Sequence, residues 1–280
     1  MTAKCDDLPR RRGSTVRGRP VSFVLLVFIL SVPFYVWGAV GGRLAGLPFL
    51  PTSALMAFLP MTAALILACR QLGTDGAVTL LRRAVQFRRP RGVGWYLVAL
   101  LFMPVLSILE FGVLRLTGSE LPLPQIALGQ ALFFFLAFFI GAIGEELGWQ
   151  GCLYPALRTR WTALGAAVVV GVVWALWHVI PLVQLGRDAD WIFWHSLSAV
   201  ALRVVIVSLF ENTGASVTVA VLFHTMINVS WALFPNAGSY YDPFVTFVIL
   251  ALAVGLIVLL WGPISLARLQ SDGRGTGHRA

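Results

Sequence analysis

Charge is what this chain has least of. Asp, Glu, Lys and Arg make up 12% of its 280 residues, about half of what a water-facing domain carries. With 58% hydrophobic residues and a mean hydropathy of +0.84, a soluble globular domain is excluded. Lysine is nearly missing: Lys4 stands alone against 20 arginines, a bias typical of GC-rich bacterial genomes. Cysteine is scarce as well. Cys5, Cys69 and Cys152 form no CxxC and no even set, which argues against a disulfide framework or a thiolate metal site. Neither a GxSxG elbow nor an HExxH helix occurs, so serine-hydrolase and zincin chemistry have no carrier. No internal repeat and no matched pair of Gly/Pro-broken spans is visible, which weighs against a proton-coupled transporter using Glu and His as a relay.

What is present is a series of apolar runs, each long enough to cross about 30 Å of hydrocarbon. Eight spans are expected, near 21–40, 48–69, 94–116, 126–157, 162–184, 192–211, 215–234 and 244–262. The first is too long for the apolar core of a cleaved signal peptide and reads as an uncleaved span. The fold class is therefore all-α, a polytopic membrane helical bundle. The net charge of +9 and pI near 10.5 do not indicate nucleic acid, because the basic residues flank spans. Most lie in an N-terminal arm (Lys4, Arg10, Arg11, Arg12, Arg17, Arg19) and a loop holding Arg82, Arg83, Arg88, Arg89 and Arg91. Alternate loops are basic, and the positive-inside rule then puts both termini in the cytoplasm, which an even number of spans satisfies. The expected location is a bacterial inner membrane, with the lipid bilayer as the first partner.

An ionisable side chain inside a span costs a few kcal/mol or more, so function is sought among the few that are there. They are Glu110, Glu145, Glu146, His178, His195, Arg203 and His224, with Asn228 as a polar neighbour. Glu145 and Glu146 sit in Gly144-Glu145-Glu146-Leu147-Gly148-Trp149-Gln150-Gly151, where an apolar face continues through Leu157 to Arg158. At i,i+4 spacing Glu145 neighbours Trp149, and Glu146 neighbours Gln150. His178 ends Trp174-Ala175-Leu176-Trp177-His178. His224 and Asn228 share a helix face in His224-Thr225-Met226-Ile227-Asn228 and can both donate to one point. Counted inward from Arg158, Trp161 and Asn212, the residues Glu145, His178 and His224 lie about 20, 25 and 18 Å deep at 1.5 Å per residue. Three spans thus carry acid–base groups to a similar depth. His195 and Glu110 fall outside these motifs and read as structural, and Trp177, Trp191, Trp194 and Trp231 read as belts and packing.

A carboxylate with two imidazoles and no nucleophilic side chain suits water activation. Glu145 would serve as general base and then as proton donor to a leaving amine. His178 would orient the water, and His224 with Asn228 would bind the oxyanion.

The ordered motifs resemble those of the CPBP family, the type II CAAX prenyl endopeptidases and their bacterial relatives linked to bacteriocin processing and immunity. The family pattern is EExxxR, then FxxxH, then HxxxN, and Asn212-Thr213-Gly214-Ala215-Ser216 ahead of the third motif is similar as well. The resemblance covers about residues 126–234. It divides the chain into a basic cytoplasmic arm (1–20), N-terminal spans (21–125), a catalytic core (126–234), and a last span with a cytoplasmic tail (235–280). It implies an intramembrane endopeptidase with catalytic Glu145, His178, His224 and Asn228, acting on a peptide or membrane-tethered protein from a cytoplasm-facing cavity. It implies a metal-free scheme with no cofactor, against an older zinc reading built on Glu145, His178 and His224. Glu146 takes the supporting role, paired with the motif arginine.

Two positions depart from the pattern. Trp174 replaces Phe, an aromatic exchange. Gln150 replaces Arg and removes the cation expected beside Glu146. Either Glu146 is protonated and hydrogen-bonded to Gln150, or Arg203 from the sixth span supplies the charge. The same departure leaves a second reading, a catalytically silent relative acting as an immunity factor or membrane assembly partner.

Overall fold

The computed structural model describes residues 19–84, 94–236 and 240–268. The basic arm before Arg19, the Arg88, Arg89 and Arg91 part of the second basic loop, Cys5 and the tail beyond Arg268 lie outside the described residues.

The chain is a helical membrane bundle. Its helices are α1 (Pro20–Val40), α2 (Leu59–Arg82), α3 (Gly94–Leu116), α4 (Leu128–Gly148), α5 (Tyr154–Arg158), α6 (Ala163–Gln184), α7 (Ala189–Asn212), α8 (Val217–Leu233) and α9 (Pro243–Ser265). Among the described residues seven helical stretches are long and apolar enough to cross a membrane. The seventh expected span, α8, has only 17 residues. It is buried almost throughout and packs on α3, α4 and α7. Sheathed in protein, it need not match the thickness of the lipid.

Local chemistry fixes the ends. Thr162, Asp188, Ser216 and Asp242 each cap the helix that follows, accepting a hydrogen bond from the backbone N–H of Gly165, Trp191, Val219 and Val245 respectively. These are the residue types whose side-chain oxygen satisfies an otherwise orphaned helical donor. They place sharp boundaries inside an almost uniformly apolar sequence.

The second span departs from its expected range of 48–69. The apolar run opens instead with a small antiparallel hairpin, β1 (Arg43–Leu44) and β2 (Leu47–Pro51), then a 3-10 turn over Thr52–Phe58. Helix α2 continues well past residue 69 to Arg82, with a break at Gly73, whose φ of 65° lies in the left-handed region. Hydropathy reports the apolar run and is blind to the conformational change within it.

Helices alternate in direction, so the bundle has two chemically different ends. One gathers Arg19, Arg82, Arg83, Arg158, Arg160 and Arg268. At this end Arg83 donates to the Gly151 carbonyl and Arg158 to the Ile264 carbonyl. Asn212, from the segment preceding α8, donates to the Leu266 carbonyl and accepts from the Arg268 N–H. The other end carries the hairpin, the loops around 117–127 and 185–188, and residues 234–236 and 240–242.

Helix α4 is pressed against the start of α2. A Cβ on Gly144 would stand 2.7 Å from the Ala57 carbonyl oxygen, and one on Gly148 2.5 Å from the Pro60 backbone. Small residues at this spacing let helix backbones approach closely in membranes. Gly148→Ala should therefore lower the thermal midpoint in detergent, at a cost of about 1–3 kcal/mol for overpacking. Gly112→Ala, whose Cβ would meet nothing within 4 Å, should not.

Candidate active site

The first glutamate motif ends α4 and runs into a π-helical turn over Trp149–Leu153, before α5 resumes α-geometry. A π turn inserts an extra residue into the helical repeat and shifts the phase of whatever follows. That shift explains why Gln150 does not reach Glu146. Both ends of the buried Gln150 amide lack a partner, and the expected Glu146–Gln150 hydrogen bond is not formed.

Arg203 of α7 takes that place. Its Nη1 lies 2.9 and 2.8 Å from the two carboxylate oxygens of Glu146, and both side chains are wholly buried. The guanidinium also stacks over the Trp174 ring, 4.4 Å from its centroid, a contact that offsets part of its desolvation. Two buried charges 57 positions apart thus tie α4 to α7.

Glu146 has a second partner. Its Oε1 lies 2.7 Å from His224 Nδ1. Because a carboxylate only accepts, this contact assigns the Nδ1 proton to His224. The ring is thereby turned so that Nε2 points toward Glu145, 3.9 Å from its Oε1. His178 is oriented by the same device: its Nδ1 sits 2.8 Å from the Trp174 carbonyl, again an acceptor-only group. In the neutral ring its Nε2 therefore carries the lone pair.

Glu145 is held by indoles. Trp174 Nε1 donates to its Oε2 at 2.7 Å, and Trp149 Nε1 approaches the same oxygen at 3.4 Å. The tryptophan at 174 is therefore more than an aromatic exchange for Phe, since the indole supplies a donor that Phe lacks. Below it, Trp177 donates to Ser31 of α1, and Tyr35 donates to the Trp177 carbonyl. Sequence reading passed over Ser31 and Tyr35. A serine and a tyrosine on one face of an otherwise apolar span were the available signal.

Glu145, His178, His224 and Asn228 all line one cavity of about 340 Å³, within the usual size of ligand sites. Glu146, Gln150 and Arg203 stand behind it and do not line it. His195 and Glu110, expected to be structural, line the same cavity farther out, with Tyr241 and Thr246. Glu110 accepts the Asp242 N–H at 2.7 Å, and His195 lies 3.3 Å from the Tyr241 hydroxyl while stacking on Trp191. Trp231 is a wall residue too. Among the described residues, no group of three His, Cys, Asp or Glu side chains is arranged to hold a metal ion.

The cavity lining comes from the hairpin, the 3-10 turn, the middle and C-terminal parts of α3, α4, α6 and α8, the N-terminal and middle parts of α7, and the N-terminal part of α9. The hairpin, the 3-10 turn and the ends of α6 and α8 close it toward the end opposite the arginine cluster, and Glu145 stands near mid-bundle.

Breaking a buried ion pair from one side costs about 3–5 kcal/mol. Arg203→Ala should accordingly cause a large fall in thermal stability and loss of whatever activity the site has. Gln150→Leu should leave the midpoint unchanged or raised, since it removes an unpaired amide. A fall in the Gln150→Leu midpoint would instead mean that the amide makes a bond on which the fold depends.

Residues 127–230 match the family model described as type II CAAX prenyl endopeptidase Rce1-like. A curated relative, the CAAX prenyl protease 2 of Methanococcus maripaludis, is 29% identical over 103 residues, covering 34% of this chain and 38% of that protein. The chain therefore aligns with well under half the length of this relative. The segment similar to the Rce1-like type II CAAX prenyl endopeptidase family holds every motif residue whose geometry is described above.

Proposed function

We propose that this protein is an intramembrane endopeptidase that hydrolyses a peptide bond with water activated by Glu145. The observation that carries the reading is the set of hydrogen bonds that spends both Nδ1 atoms on fixed acceptors and leaves both Nε2 atoms to the cavity.

In this scheme the substrate carbonyl lies between Glu145 and the His224–Asn228 face. Glu145 takes a proton from water held also by His178 Nε2, and the oxygen attacks the carbonyl carbon. The oxyanion of the tetrahedral intermediate accepts hydrogen bonds from Asn228 Nδ2 and His224 Nε2. For His224 to donate there it must carry both ring protons, with Nδ1–H on Glu146. Two carboxylates, Arg203 and that imidazolium then sum to a neutral cluster, the least costly charge state for a buried site. Glu145 returns its proton to the leaving nitrogen as the C–N bond breaks. The indole N–H of Trp174 holds the carboxylate in place through the cycle.

A zinc ion held by Glu145, His178 and His224 would need the Nε2 atoms that this scheme uses directly, and no step above is routed through it. The silent-relative reading loses its main support, because Arg203 supplies the cation that Gln150 does not.

The test is cleavage of a quenched fluorescent peptide library by purified protein. Glu145→Ala should abolish turnover, and loss of an oxyanion donor in Asn228→Ala should reduce kcat about 10²–10³-fold. Chelator should have no effect; inhibition by chelator would overturn the metal-free scheme. Full activity in Glu145→Ala would overturn the assignment altogether. Absence of turnover from folded wild-type protein with every peptide would favour the immunity or assembly reading. Trp174→Phe should fold normally and lose roughly tenfold in kcat, as expected for one charge-assisted hydrogen bond worth about 1.5 kcal/mol.

A further inference from the structure

The chemistry of Glu145 leaves a second carboxylate of the cavity wall unused. Glu110 of α3 lines the same cavity and is only 6% exposed. Its Oε1 accepts the Asp242 N–H at 2.7 Å, one bond on a group that can accept several. Asp242 is no counter-charge, and its own carboxylate caps α9 at Val245. Among the described residues no arginine, lysine or histidine forms an ion pair with Glu110. Arg115, on the same helix, donates to the Leu121 carbonyl, and Arg187 lies over the Trp191 ring. No lysine or arginine lines the cavity. The cluster around Glu145 sums to neutral with Arg203 and His224, whereas Glu110 stands as an uncompensated buried charge, which a cation beside it would stabilise.

The position of Glu110 relative to the reacting groups follows from helix register. Phe102 meets Phe223 and Phe111 meets Phe234, each pair with ring centroids 5.6 Å apart. Helices α3 and α8 therefore run side by side in the same direction, and Glu110 stands near the end of α8. Glu110 and Trp231 share a small side pocket of the cavity with Ser107 and Tyr241. Both hydroxyls can accept from an ammonium or guanidinium group. From His224, beside the reacting carbonyl, to Trp231 is about 10 Å along the helix. About three residues of extended chain cover that distance.

We infer that Glu110 is a specificity-determining residue of this site, and that it receives a lysine or arginine side chain of the peptide substrate about three residues from the bond that is cut. This rests on the peptidase reading above and adds a charge to its substrate. Leu44, Leu47 and Leu50 line the cavity too, so the preferred segment is apolar with one basic residue. An acidic side chain at that position would meet like charge in a desolvated pocket.

Glu110 also holds the start of α9, and its charge can be separated from that bond. In Glu110→Gln the amide oxygen still accepts the Asp242 N–H while the negative charge is gone. The probes are three quenched eight-residue peptides of leucine, valine and alanine that differ at one position, holding lysine, uncharged norleucine or glutamate. Cleavage sites are mapped by mass spectrometry. Binding of dye-labelled versions to Glu145→Gln protein is read by fluorescence anisotropy.

Wild-type protein should prefer the lysine peptide over norleucine by roughly tenfold in kcat/KM, through KM, with glutamate poorest of the three. The lysine should lie about two to four residues from the cut. In Glu110→Gln the lysine preference should fall below about twofold, and the glutamate peptide should gain relative to the other two. A purely structural Glu110 would slow all three alike and keep the preference, which overturns the inference. Should Glu110→Gln fail to fold, Ser107→Lys places a cation in the same side pocket and should also abolish the preference; its persistence there would overturn the inference as well. Equal cleavage of the three peptides by wild-type protein refutes the subsite and leaves the peptidase reading intact. Lysine-selective binding with no peptide cleaved would sink the peptidase reading and keep the subsite, and binding without lysine selectivity, or none at all, would refute the subsite.

Discussion

The contact on which the site depends is the buried ion pair between Glu146 and Arg203. Neither residue lines the cavity, yet the pair sets what does. Glu146 is adjacent to Glu145, so fixing it against α7 fixes where the neighbouring carboxylate emerges. Its remaining capacity is given to His224 Nδ1, and this turns the reactive edge of that ring inward. Arg203 in turn stacks on Trp174, whose indole holds Glu145 and whose carbonyl orients His178. One pair of opposite charges thus reaches every ionisable group of the site through a single intervening contact. A buried ion pair is often no more stabilising than apolar packing of equal volume. Its use here lies in orientation, which apolar side chains cannot impose on an imidazole.

The same logic accounts for the arginine's position. The family pattern places a cation on the glutamate helix itself, one turn beyond Glu146. Here that place holds Gln150, and the π turn carries it out of reach. The cation enters from α7 instead, so the electrostatic requirement is met by a different span. In this chain the guanidinium that meets the carboxylate is delivered by α7.

Much of this was legible in the sequence, and the exceptions have physical causes. Hydropathy located the spans because lipid imposes length and apolarity on each. The residues of the three motifs were legible because an ionisable group inside a span is rare and costly. Arg203 was open to suspicion for the same reason, and only its geometry chose between it and Gln150. The hairpin over Arg43–Pro51 was hidden because its residues are as apolar as the helix that follows. The π turn was invisible because no residue type marks an added position in a helical repeat. Glu110 and His195 were set aside because they lie outside the motifs, although the fold folds their spans back onto the same cavity. The shared cavity is built from six helices, and no local pattern in the sequence encodes which residues of each will meet.

The account stands on ring orientation, and nitrogen-15 NMR of the histidines measures that directly. The chain has four histidines, so single substitutions suffice to assign each signal in the detergent-solubilised protein. A protonated, hydrogen-bonded Nδ1 is expected at both His178 and His224. An unprotonated Nδ1 at His224 would mean that Glu146 does not hold the ring, and it would contradict the proposed link from the buried ion pair to the cavity.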